Sequence, residues 1–75
     1  MIPIRFRIET RFLNEREAEA ARQVLDRYSS VELDVVEGEF SCKKFIIEAD
    51  EREVLKDLEE KLEKNGVHLS SLWSA

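Results

Sequence analysis

One cysteine, one proline, one histidine and two glycines are all that 75 residues contain of the types that most often mark chemistry or tight turns. Each scarcity excludes something. Cys42 alone forms no intrachain disulfide, and without clustered histidines it offers no ordinary structural zinc site. His68 has no serine or cysteine nucleophile beside it in sequence. It reads as a solvent-side histidine, and Cys42 as a small apolar filler. Gly38 and Gly66 are both needed as turn and helix stop, so no glycine-rich loop remains to cradle a phosphate. No apolar run approaches the roughly 18 residues of a membrane span, and the first residues lack the basic-then-apolar layout of a secretion signal. The expectation is a cytoplasmic protein that is not an enzyme and holds no cofactor or metal.

What the chain has in excess is charge. Charged residues make up 39% of it, against about 25% in ordinary soluble domains, while Gln and Met each occur once. That profile fits a thermophile protein, in which ion-pair networks gain and thermolabile residues lose. A net charge of -5 argues against a free-standing nucleic-acid binder, which needs a basic field to displace counterions. Residues 1–75 are expected to form a single domain, one that buries only about 60% of its unfolded surface. With disulfides and zinc set aside, oligomerisation is the remaining way to add stability.

Residues 4–12 alternate: Ile4, Phe6, Ile8 and Phe12 point one way, Arg5, Arg7, Glu9 and Arg11 the other. This spacing predicts a half-buried strand with Pro3 tolerated at its start. Asn14 then caps a helix in which Glu17 reaches back and Ala18, Ala21, Val24, Leu25 and Tyr28 form the apolar stripe. Ser29-Ser30 ends it. Val31, Leu33 and Val35 alternate with Glu32, Asp34 and Val36 in a second strand, and Glu37-Gly38-Glu39 supplies a turn. A three-residue loop there places Val31 opposite Phe45 and Glu32 opposite Lys44, whereas a two-residue loop swaps the faces.

Residues 40–49 form the expected middle strand, apolar on both faces: Phe45, Ile47 and Ala49 on one, Phe40, Cys42 and Ile46 on the other. Asp50 is expected to cap a second helix with the stripe Val54, Leu55, Leu58 and Leu62, stopped by Asn65-Gly66. Residues 67–73, with Leu69, Leu72 and Trp73, are too apolar for a free tail; they add a short fourth strand or dock on a neighbour. The fold class is therefore α+β, a two-layer β-α-β-β-α sandwich. Right-handed connection gives an antiparallel sheet of order 1-3-2, with two helices on one face and a possible short fourth strand at the C-terminus.

Two surfaces invite a partner. Val36, Phe40, Cys42 and Ile46, with Leu69, Leu72 and Trp73, form an apolar set of the kind that marks a protein interface. Arg5, Arg7 and Arg11 line the outer face of the first strand, where they contact phosphate or an acidic partner, or else pair with Glu9, Glu32, Asp34 and Glu48. The acidity of the chain favours pairing.

The alternating first strand, the run 14–25 opening with Glu17-Ala18 and closing at Leu25, the Phe45-Ile46-Ile47 strand and Ala49-Asp50 leading to Leu55-Lys56 resemble one known family. It is the small Pcc-type dimerisation subunit of the KEOPS complex, which makes threonylcarbamoyladenosine in transfer RNA. The resemblance implies a non-catalytic subunit that pairs through its sheet and helices and binds a kinase-like catalytic subunit. Where that family tends to small polar residues, Leu55-Lys56 is followed here by Asp57-Leu58-Glu59-Glu60. The difference implies a divergent paralogue that meets tRNA only indirectly, as a heterodimer with a paralogous small subunit or as a homodimer. A ferredoxin-like small-ligand or regulatory module, with residues 67–73 as a true fourth strand, is the alternative. An RNA-binding sheet face is a third.

Overall fold

The computed structural model describes residues 5–70. Strands β1 (Phe6–Glu9), β2 (Val31–Glu37) and β3 (Lys43–Ala49) form one antiparallel sheet ordered β1-β3-β2. Helices α1 (Glu15–Leu25) and α2 (Arg52–Lys64) lie together on one face of it. This is the expected α+β layout.

The first helix starts where the sequence places it. Asn14 Oδ1 accepts from the Glu17 N–H at 2.8 Å, and the Glu17 carboxylate accepts from the Asn14 N–H at 3.1 Å, a reciprocal cap for two otherwise unpaired donors. The second helix does not use Asp50 as expected. Glu51 occupies its N-cap without a side-chain cap, because the Asp50 carboxylate is held by Arg5 Nε at 3.1 Å. Its C-terminus is closed by Gly66 at φ 81°, which lets the Val67 N–H reach the Leu62 carbonyl at 2.9 Å. That bond turns Val67 into the core.

The core is a sandwich of three contributions. Ile8, Phe45, Ile47 and Ala49 come from the sheet, Ala18, Ala21, Val24 and Leu25 from α1, and Leu55, Leu58 and Leu62 from α2. Where α1 ends, the Tyr28 hydroxyl donates to Asp57 of α2, and Lys61 Nζ pairs with the same carboxylate at 3.2 Å. The two helices are thereby joined at the surface as well as through their stripes.

The hairpin departs from expectation in length but not in parity. Val31 faces Ala49 and Val35 faces Phe45, so the register is slid by four residues; Glu32 lies opposite Glu48, and Lys44 opposite Val36. The connection is five residues, 38–42, built on a single 3-10 turn at Glu39–Ser41. Five and three are both odd, which is why Val31, Leu33 and Val35 keep the core side. Phe40 and Ser41 take positive φ, 56° and 61°, and end the middle strand early. Phe40 and Cys42 therefore do not lie on its face: β3 carries Lys44, Ile46 and Glu48 outward and is apolar on one side only.

A second departure lies after β1. The Thr10 N–H donates to the Phe45 carbonyl at 2.9 Å, while Leu13 and Lys43 exchange bonds of 2.7 and 2.9 Å. Between those points Arg11 and Phe12 face Lys44 alone. This is a β-bulge, and one extra residue reverses the alternation. Leu13 is turned in and Phe12, expected on the core side, is 51% exposed. The bulge also displaces the Thr10 carbonyl, which accepts from Ser70 Oγ at 3.0 Å. In its place Thr10 Oγ1 accepts the Phe45 N–H at 2.9 Å.

Beyond Val67 the chain runs beside β1: the Arg11 N–H donates to His68 O at 3.2 Å and the Ser70 N–H to Glu9 O at 2.9 Å. The expected fourth strand is, among the described residues, one antiparallel bridge between Thr10 and Leu69. Ile4, Leu72 and Trp73 lie outside the described residues.

Candidate functional site

The outer face of the sheet is an ionic lattice. From β1, Arg7 stands beside Glu48 and Glu9 beside Ile46; from β2, Glu32 and Asp34 flank the same two residues on the other side. Arg5 bridges the sheet, with Nη1 2.9 Å from Glu32 and Nε 3.1 Å from Asp50. Glu9 is held by Arg7 at 2.8 Å and Lys44 at 2.9 Å. The hydrogen bond from Lys44, joined by the nearby Arg7 charge, holds the Glu9 carboxyl below the usual carboxylate range against the opposing effect of desolvation. Two of the three arginines proposed as phosphate contacts are thus paired with acids, as the charge balance favours. Arg11 is exposed with no ion pair among the described residues.

The apolar interface set does not occupy one face. Val36 and Ile46 share the outer side of the sheet. Phe40 stands at the hairpin tip, 93% exposed. Cys42 lines a cleft of about 610 Å³ between the hairpin and α1, along with Glu19, Arg22, Glu37 and Lys43. Leu69 packs partly against the core beside Thr10. What the set does locate is one end of the molecule: Val35 at 38%, Val36 at 42%, Phe12 and Phe40 are the exposed large hydrophobics among the described residues, and all lie on or next to the β2–β3 hairpin. Phe12 reaches it by packing on Gly38, where an added Cβ would stand 2.6 Å from the ring.

The sheet edges differ. Gly38 donates to the Cys42 carbonyl at 2.8 Å, so in an antiparallel ladder Val36, Asp34 and Glu32 turn their backbone groups toward β3. Leu33, Val35 and Glu37 turn theirs outward, where no described residue bonds them. The β1 edge, in contrast, is covered at Glu9 and Arg11 by residues 68–70. The edge left uncovered among the described residues is therefore that of β2. A shallow groove of about 220 Å³ runs between β2 and α1 there, lined by Leu33, Leu25, Glu19, Arg22 and Asp26.

Leu33 and Val35 were missed because they read as core residues by alternation. The signal that could have found them is the composition of residues 31–37, which hold three acids and neither lysine nor proline, the residues that usually guard a free edge. Among the described residues no three metal-ligating side chains stand together, and no helix is long and apolar enough to cross a membrane. No protein-family model, curated protein or solved structure matches the chain.

Proposed function

We propose that this chain is a non-catalytic subunit that works by associating with other proteins, within a KEOPS-like assembly that forms threonylcarbamoyladenosine in tRNA. The observation that carries the association is the hairpin end of the sheet, where an unpaired edge adjoins four exposed hydrophobic side chains. Exposed apolar residues gathered at one place on a small acidic domain are what a partner surface offers. The named assembly rests on the sequence resemblance. In this reading tRNA is met through the partners, since Arg5 and Arg7 already spend their charge on Glu32, Asp50 and Glu9.

Light scattering of the chain mixed with a small KEOPS subunit tests the proposal. A mixed species at micromolar concentration is expected; its absence would sink the assembly. One observation favours a second reading. Residues 67–70 lie beside β1, the place of the last strand in a ferredoxin-like regulatory module. That reading predicts a homo-oligomer whose melting temperature rises with a small ligand and which ignores KEOPS subunits. Tight, steeply salt-dependent tRNA binding by the isolated chain would instead favour an RNA-binding face.

A further inference from the structure

We infer that the β2 edge receives an extended strand from a different protein, one that alternates apolar residues with lysine or arginine. The inference deepens the association reading above and rests on it. Three features of β2 argue for it together.

The first is the outward set of backbone groups. Leu33, Val35 and Glu37 present N–H and C=O groups that no described residue satisfies, the template used in strand addition. Residues 31–37 contain no lysine, no proline and no bulge, the pairing with β3 being continuous across all seven positions; what guards this edge is acid alone, at Glu32, Asp34 and Glu37.

The second is the surface on each side of that edge. On the helix side, the groove between β2 and α1 is lined by Leu33 and Leu25 together with Glu19, Arg22 and Asp26, so an incoming strand finds apolar contact there. On the outer side it would lie against Asp34, exposed and with no ion pair among the described residues, and against Glu32, exposed and already paired with Arg5 at 2.9 Å. Every second residue of the visitor therefore meets hydrocarbon, and the residues between meet carboxylates.

The third is that β2 is a poor partner for itself. A two-fold centred on Leu33 sets Glu32 opposite Asp34 twice, and one centred on Asp34 sets that carboxylate against its own copy. Centring on Val35 puts Leu33 opposite Glu37. Like charges directly opposite one another oppose pairing, and the whole chain carries -5. Charge therefore opposes two of these registers and the third sets an apolar side chain against a carboxylate, whereas a basic strand meets Asp34 with no like-charge clash.

The test needs no subunit of a tRNA-modifying assembly, so its outcome is separate from that of the light-scattering experiment. A nine-residue peptide alternating valine and lysine is titrated into the isotope-labelled chain, with a valine–glutamate peptide as control. Binding of the first alone is expected, with amide shifts and slowed hydrogen exchange at Leu33, Val35 and Glu37. Val35→Pro removes an N–H that the fold does not use, and is expected to weaken binding at least tenfold while the spectrum stays folded. Asp34→Lys, a change at an exposed side chain, supplies the second arm: it is expected to weaken the lysine peptide several-fold and admit the glutamate peptide. The inference is overturned if shifts map elsewhere, if Val35→Pro and Asp34→Lys bind the lysine peptide as the parent does, or if the chain alone dimerises through β2.

Discussion

Thr10→Val isolates what the bulge requires of a single hydroxyl. Thr10 is fully buried; its Oγ1 accepts the Phe45 N–H at 2.9 Å and donates to the Arg11 carbonyl at 2.8 Å. Valine keeps the branching and nearly the volume, so strand preference changes little. What it removes is the acceptor, leaving the N–H of a core residue without a partner. A buried unsatisfied group costs about 1–3 kcal/mol, a large share of the roughly 4–11 kcal/mol expected for a domain of this size. A loss near 2 kcal/mol would lower the melting temperature by roughly 8–16 °C. Thr10→Ser keeps the hydroxyl and deletes one methyl, at about 1 kcal/mol. Urea unfolding followed by far-ultraviolet circular dichroism, with m unchanged, gives the comparison. If valine proves as stable as threonine, or more stable than serine, the hydroxyl is not standing in for the ladder carbonyl and the reasoning fails.

Other outcomes follow from the same structure. Phe45→Ala should cost about 3–5 kcal/mol as a fully buried aromatic truncation, and a loss below about 1 kcal/mol in urea unfolding would mean the strand's faces are inverted. The lowered Glu9 carboxyl contributes stability that is complete above its ordinary value of 4.5 and is lost as pH falls through the depressed folded value. Glu9→Gln should accordingly flatten the acid limb of the stability profile below about pH 4.5; an unchanged limb would assign the acid sensitivity elsewhere. Asp57 is held low first by the hydrogen bond from Tyr28 and then by Lys61, so Tyr28→Phe should move its carboxyl titration, read by carbon NMR, back toward 3.8. Gly38→Ala should destabilise by displacing the Phe12 ring and should be nearly neutral when combined with Phe12→Ala, a coupling that a double-mutant cycle measures.

The parts of the fold legible in the sequence were those governed by local rules. The Asn14–Glu17 cap, the Leu55, Leu58, Leu62 stripe and the Gly66 stop each depend on neighbours within one or two turns, and each sits where its spacing requires. The strand order follows from connection handedness and was equally accessible. Two features were not, because each is decided by a residue count across a ladder. The bulge at Arg11 and Phe12 exchanges Phe12 for Leu13 in the core, and alternation cannot announce its own interruption. The left-handed Phe40 and Ser41 break the middle strand at residues whose types do not favour positive φ. Asp50 was misplaced for a different reason: its competitor, Arg5, lies 45 residues away in sequence. For the candidate site, the acids and the exposed Val36 were visible in advance, but which edge stays open depended on where residues 68–70 came to rest.

The bulge has a consequence for how this chain can change in length. Along a regular strand a deleted residue turns every later side chain over, so β1 from Phe6 to Glu9 has no slack. Between Thr10 and Leu13 the sheet already holds one residue more than its partner needs. Removing Arg11 would leave Phe12 outside and Leu13 inside, still opposite Lys43, with the ladder regular for the first time. The strand thus contains a position where the register of the whole sheet is indifferent to the loss of one residue, and that position lies beside Gly38 and the hairpin through the ring of Phe12.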